Sequence, residues 1–135
     1  MEEPVLSEPL ESIWRLLDAD KYSKAEEEIA ALSKADSEDP IVHLFIAICH
    51  YEKSDDLSCI EYMYKFLSVA PLQPKTHYAQ FTIAVCLENL GLYGEALSIL
   101  QKVHPGYPNR EAELSYVREK FALQKQALAY IEASQ

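Results

Sequence analysis

The sequence predicts an all-helical (all-α) protein built from tandem helix pairs, and three observations support this fold class. The 135 residues include only three glycines, and the prolines cluster where the spacing of apolar residues resets, as it does at helix boundaries. No stretch alternates with the two-residue period of a strand. Small residues recur in a nearly constant frame, because Ala25, Cys59 and Ala96 are separated by 34 and 37 residues.

Residues that cap or end helices delimit seven predicted helices. Ser23 and Ser58 each stand three residues before a glutamate, which is the spacing of a capping box. Asp39, Thr76 and Asn109 are the other predicted N-caps, and Gly91 ends the fifth helix. Pro71 and Pro74 place a loop after the fourth helix. The predicted helices cover residues 9–18, 23–35, 39–53, 58–70, 76–90, 93–103 and 109–134, and the fourth of them starts at residue 58 or just before it.

Composition restricts the possible partners and the cellular location. The net charge of -10 would repel nucleic-acid phosphates and anionic membranes, so neither is an expected partner. The first ten residues lack the features of a signal peptide, and the apolar runs are too short to cross a membrane. Cys49, Cys59 and Cys86 lie within apolar helical patterns and do not resemble a disulfide framework. We therefore expect a cytoplasmic protein.

The repeated frame resembles the tetratricopeptide repeat, a helix-turn-helix unit of about 34 residues. The third unit matches the pattern of that family at Ile83, Ala84, Leu87, Gly91, Tyr93, Ala96, Leu100 and Pro108. The other two units match less completely, since Asp56 replaces the turn tyrosine in the second and Ser37 replaces the closing proline in the first. The resemblance implies one domain over residues 1–135, with repeats at 7–38, 39–73 and 76–108 and a capping helix at 109–134.

The first helix of each pair carries a second apolar stripe beyond the one that packs within the pair. In the repeat family these helices line the concave side of a superhelix, so the second stripes would form one apolar groove for an amphipathic helix of a partner. The alternative is that neighbouring helices bury the stripes against one another. The predicted groove residues are Leu10, Trp14, Leu17, Ile41, Leu44, Ile48, Tyr51, Tyr78, Phe81 and Val85.

The last predicted helix also has two apolar stripes. One comprises Leu114, Val117, Phe121, Leu128 and Ile131, and we expect it to seal the third repeat. The other includes Tyr116, Leu123 and Tyr130, which are predicted as secondary contacts with a partner. These three residues either wall the groove or form partly exposed aromatic surface.

No motif predicts catalysis. The four histidines lack the spacing of a zinc site, and the sequence contains no CxxC pair, no glycine-rich phosphate loop and no nucleophile elbow. We therefore predict that the protein is not an enzyme and uses neither a metal nor another cofactor.

A short, acidic chain of three degenerate repeats resembles the small chaperones of bacterial type III secretion, most closely those that hold the needle subunit. This resemblance implies a protein partner, namely the C-terminal helix of a needle subunit held in the groove, and a second small helical co-chaperone. One alternative is a translocator chaperone of the same secretion system. Another is a general scaffold or adaptor that joins two stable proteins.

Overall fold

The computed structural model describes residues 6–69 and 74–135, and the regular structure in these two ranges is entirely helical. The all-helical prediction is therefore confirmed. The helices are α1 (Glu8–Asp18), α2 (Tyr22–Ala30), α3 (Lys34–Ser37), α4 (Ile41–Glu52), α5 (Asp56–Val69), α6 (Pro74–Asn89), α7 (Tyr93–Leu100) and α8 (Arg110–Ala133). The predicted loop residue Pro71 lies outside the described residues.

The second predicted helix is two helices in the structure. Helix α2 ends at Ala30, and the hydroxyl of Ser33 accepts a hydrogen bond from the backbone N–H of Asp36 at 3.3 Å, which caps the four-residue helix α3. The predicted cap Ser23 is wrong, because α2 already begins at Tyr22. A serine that caps a new turn competes with continuation of the helix, and the sequence analysis missed that role of Ser33.

Three other helix starts test the predicted caps. Asp39 accepts a hydrogen bond from the backbone N–H of Ile41 at 3.0 Å, but the residue directly before α4 is Pro40, so the predicted cap lies one residue too early. The cap of α5 is Asp55 rather than Ser58, because its Oδ1 accepts from the Ser58 backbone N–H at 3.2 Å. Thr76 lies inside α6, which is already helical at Pro74. A proline at the first helical position costs no hydrogen bond and suits this start.

The same turn joins the two helices of three pairs, α1–α2, α4–α5 and α6–α7. Each turn contains one residue in the left-handed region, and these residues are Asp20 (φ 60°), Ser54 (φ 59°) and Gly91 (φ 78°). The residue after each donates its backbone N–H to the carbonyl five positions earlier, at 2.8–2.9 Å, in the pairs Lys21–Leu16, Asp55–His50 and Leu92–Leu87. This is the long hydrogen bond of a Schellman motif. The three turns are therefore also separated by 34 and 37 residues, the same intervals that separate the small residues.

The small residues of that frame lie in the second helix of each pair and are completely buried. Ala25, Cys59 and Ala96 have no exposed surface, and each donates its backbone N–H to the carbonyl four residues earlier, at 3.0 Å. The distance between packed helices depends on the side chains at their contact, so a small residue here permits close approach.

Contacts divide the chain into two compact units, Met1–Ala79 and Gln80–Gln135. In the first unit, α4 packs against α1, α2 and α5, and Phe45 of α4 is fully buried. Trp14 of α1 stacks on Phe45 with 6.2 Å between ring centroids. At the end of α4, Lys53 forms an ion pair with Glu26 of α2 at 2.7 Å. Whether the chain acts as the one domain that the sequence predicts stays a prediction.

In the second unit, α8 packs on α7 in the antiparallel direction. Arg110 donates from Nε to the Leu100 carbonyl at 3.2 Å, and Gln124 donates from Nε2 to the Gly91 carbonyl at 3.0 Å. The start of α8 therefore lies at the end of α7, and its middle lies at the turn before α7. The core of this unit joins α6, α7 and α8 and comprises Ala84, Ala96, Leu100, Leu114 and Val117.

Candidate protein-binding surface

Half of the predicted groove residues are buried in the folded chain. Leu44 has no exposed surface, and the other four expose only a few per cent. This burial favours the alternative in which neighbouring helices cover the stripe. A partner could reach these residues only if the packing opened, so their role in binding stays a prediction. The buried five are Leu10, Leu17, Ile41, Leu44 and Ile48.

The other five predicted groove residues, Trp14, Tyr51, Tyr78, Phe81 and Val85, are partly buried. Lys75 places Nζ 3.9 Å from the centre of the Trp14 ring, which already stacks on Phe45. In the second unit, Phe81 packs against Tyr107 with 5.1 Å between centroids. Since the predicted groove residues are divided between the two units, the structure does not bring all ten together within one unit.

The predicted secondary contacts are exposed on α8. Tyr130 exposes 68% of its surface, and Tyr116 and Leu123 expose about half of theirs. The three residues follow one another at intervals of seven, so they form a row along one side of the helix. We call Tyr116, Leu123 and Tyr130 the outer row. Their exposure is established, whereas a contribution to a groove stays a prediction.

The other stripe of α8 seals the third helix pair only along its first half. Leu114 and Val117 are buried, and the ring of Phe121 lies so close to Gly94 that a Cβ there would approach Cζ at 3.1 Å. Leu128 and Ile131, however, expose 52% and 54% of their surface. The expectation that the whole stripe is covered is therefore wrong for these two residues, which we call the terminal seam.

Helix length explains why the terminal seam is uncovered. Helix α8 has 24 residues and α7 has eight, and the turn at Gly91 is reached by Gln124. The helical residues from Lys125 to Ala133 continue beyond that turn, and every residue from Lys125 to Gln135 is exposed. The sequence contained this signal, since the last predicted helix was more than twice as long as the one before it.

The charge of α8 differs from that of the rest of the chain. The helix carries Arg110, Arg118, Lys120 and Lys125 against Glu111, Glu113, Glu119 and Glu132, which is four positive and four negative charges. The net charge of -10 therefore belongs to the residues outside α8. An electroneutral helix with exposed apolar side chains can approach another protein without the repulsion that an acidic surface causes.

The described residues were also compared with the requirements of a metal site and of a reactive thiol. No group of three or more histidine, cysteine or acidic side chains in residues 6–69 and 74–135 is placed to hold a metal ion. Burial raises the pKa of the Cys49 thiol to about 11, so the group is a neutral thiol near pH 7. A cleft of about 190 Å³ beside Cys49 is lined chiefly by α2 and α4, including Ile29 and Ile46.

Comparison with known proteins adds no family to these observations. Neither protein-family models, nor curated proteins, nor solved structures give a match to this chain. In the part of the chain that the structure describes, no helix is long and apolar enough to cross a membrane.

Proposed function

We propose that this protein is a chaperone of the tetratricopeptide-repeat kind that binds an apolar amphipathic helix of a partner protein. The observation that carries the proposal is the exposed outer row of α8. The recurrence of one turn in three helix pairs supports the repeat assignment. Repeat proteins of stacked helix pairs use extended surfaces to bind other proteins, so this assignment fits a binding function.

The spacing of the outer row fits a helical ligand. Side chains at intervals of seven remain in line along a helix, and a second helix can lie beside such a line over several turns. Each buried tyrosine or leucine contributes a gross free energy of about 1.5–3 kcal/mol. Three such residues give a gross gain of about 4.5–9 kcal/mol. Loss of translational and side-chain freedom offsets part of that gain, so the outer row alone supports an affinity on the order of millimolar.

The resemblance in sequence favours a type III secretion needle subunit as the partner, together with a small helical co-chaperone, and a cytoplasmic location is part of this proposal. A needle protein that polymerises through an apolar helix must stay monomeric until export. A chaperone that covers the helix prevents the head-to-tail contacts from which a filament grows.

The binding surface is tested with full-length protein and a synthetic peptide that reproduces the C-terminal helix of a needle protein, using isothermal titration calorimetry. Leu123→Glu and Tyr130→Glu should each weaken binding by about tenfold or more, because a carboxylate replaces a buried apolar contact. Gln126→Glu is the matched control, since it adds the same charge at an exposed position of the same helix. Unchanged affinity in both row variants would exclude the outer row as the site.

A scaffold is separated from a chaperone by the behaviour of the partner alone. The partner is identified by co-purification from the native host and mass spectrometry, and is then expressed with and without this protein. A chaperone requires that the partner polymerise or be degraded when expressed alone and stay monomeric in the complex. A partner that is stable and monomeric by itself would favour the scaffold.

A further inference from the structure

We propose that two copies of this chain pair through the terminal seam, with the last turns of their α8 helices antiparallel. The first observation is the pattern to which the seam belongs. Its residues continue an alternation of three- and four-residue steps that runs without interruption along α8, and this is the spacing of the core positions of a coiled coil. The complete series is Leu114, Val117, Phe121, Gln124, Leu128 and Ile131.

The first four members of this series already face α6, α7 or the turn between them. Leu114 and Val117 belong to the core of the second unit, Phe121 lies against Gly94, and Gln124 reaches the Gly91 carbonyl. Leu128 and Ile131 point along the same side of the helix, beyond the end of that pair. The terminal seam therefore continues the side of α8 that packs on α6 and α7, but it lies beyond the end of those helices and is uncovered.

The terminal seam is complementary to itself. When two identical helices lie antiparallel about a twofold axis, a residue of one copy faces the residue of the other copy for which the two residue numbers add up to one constant value. Placing Leu128 opposite Ile131 of the second copy automatically places Ile131 opposite Leu128 of that copy. Two mixed layers of leucine and isoleucine result.

The charges beside the seam favour the antiparallel direction. Lys125 and Glu132 occupy the same flank of the seam, one heptad apart. Antiparallel pairing brings Lys125 near Glu132 of the second copy, and the symmetry gives this contact twice. Parallel pairing would instead bring Lys125 near Lys120 of the second copy, which repels. On the other flank, Ala127 and Ser134 are small and permit close approach of the two helices.

This dimer is expected to be weak and reversible. Four apolar side chains bury far less than the area of about 1,200–2,000 Å² that stable complexes bury. Two chains of net charge -10 also repel each other. In the dimer, the outer row lies on the neighbouring face of α8, so self-association does not require the site of the proposed function and is a separate inference.

Sedimentation velocity of the full-length protein, from about 10 μM to about 1 mM, tests the dimer. We expect a monomer–dimer equilibrium within this range. Leu128→Glu should raise the dimer dissociation constant by about tenfold or more, while Ala129→Glu, which adds the same charge at an exposed neighbour, should leave it nearly unchanged. Far-UV circular dichroism checks that both variants remain helical.

A charge exchange tests the direction. Lys125→Glu should weaken an antiparallel dimer, because two carboxylates then meet, and adding Glu132→Lys should restore it. In a parallel dimer, Lys125→Glu would strengthen the pairing instead, and that result would overturn the antiparallel arrangement.

A chain that is monomeric at every concentration, or a dimer that Leu128→Glu leaves intact, would overturn the proposal. If the chain is monomeric and Leu128→Glu weakens peptide binding, the seam belongs to the partner.

Discussion

The carboxyl group of Glu113 is partly buried beside a second carboxyl group. It lies on α8 opposite Glu88 of α6, and burial together with the neighbouring carboxylate raises the pKa of Glu113 above its usual value. Its Oε1 atom is buried without a hydrogen-bond partner. The surroundings of Glu113 in the second unit therefore disfavour its ionised form.

Replacing Glu113 with glutamine should stabilise the protein at neutral pH. Because the pKa is raised in the folded state, the folded chain binds the proton more tightly than the unfolded chain, and stability falls as pH rises through the folded pKa. The glutamine removes that loss. At pH 7 the Glu113→Gln variant should therefore melt at a higher temperature than the original protein, and near pH 4 the two melting temperatures should be similar. Circular dichroism melts across this range measure the effect, with the exposed Glu119→Gln as control. A difference that is independent of pH would contradict this account.

The element that recurs most faithfully is the turn between paired helices, although its residues differ. A left-handed backbone costs an ordinary residue about 1–2 kcal/mol, whereas glycine adopts it freely. Gly91 meets this requirement in the third pair, while Asp20 and Ser54 carry the cost in the first two. A Cβ at Gly91 would find no atom within 4 Å, so only backbone strain opposes a larger residue there.

Exchanging residues between equivalent turns isolates this strain. Gly91→Ser should destabilise the protein by about 1 kcal/mol, and Ser54→Gly should stabilise it by somewhat less, because glycine also increases the entropy of the unfolded chain. Urea unfolding measures both changes. If the two substitutions shifted stability in the same direction, the turns would not share one backbone requirement.

At the scale of elements, the sequence predicted which segments are helical better than where they begin. Gly91 was identified correctly as the end of a helix, and Asp39 was placed within one residue of the start of α4 because a proline follows it. Ser23 and Ser58 were chosen for their distance to a glutamate. The turn at Asp20 starts α2 before Ser23, and the turn at Ser54 starts α5 just before Ser58, within the range that the sequence allowed. A glycine in the sequence indicates where a left-handed residue can stand, whereas an aspartate or a serine gives no such indication.

At the scale of the whole molecule, one core side chain accounts for a large share of the stability. Leu44 is fully buried, and Leu44→Ala should reduce the free energy of unfolding by about 2–5 kcal/mol, against a total of about 5–15 kcal/mol for a typical domain. Chemical denaturation measures this loss. Leu90→Ala, at an exposed leucine, is the control and should cost much less. A small loss for Leu44→Ala would mean that its stripe is available to a partner after all.

The candidate site was only partly predictable for a related reason. Periodicity identified the apolar faces of α1, α4 and α8, but it carries no information about which neighbour covers a face. The stripe of α4 has helices around it, so Ile41, Leu44 and Ile48 became core. The stripe of α8 extends past the end of α7, so Leu128 and Ile131 became surface. Both outcomes depend on tertiary packing.

The stacking of Trp14 on Phe45 also provides an optical probe. Trp14 is the only tryptophan in the chain, so tryptophan emission has a single source. Its indole contacts both the Phe45 ring and the ammonium group of Lys75, and a nearby cation shifts indole emission. The fluorescence of the unlabelled protein therefore reports the contacts of Trp14 with Phe45 and Lys75, and it can follow opening of these contacts during unfolding or binding without an attached dye.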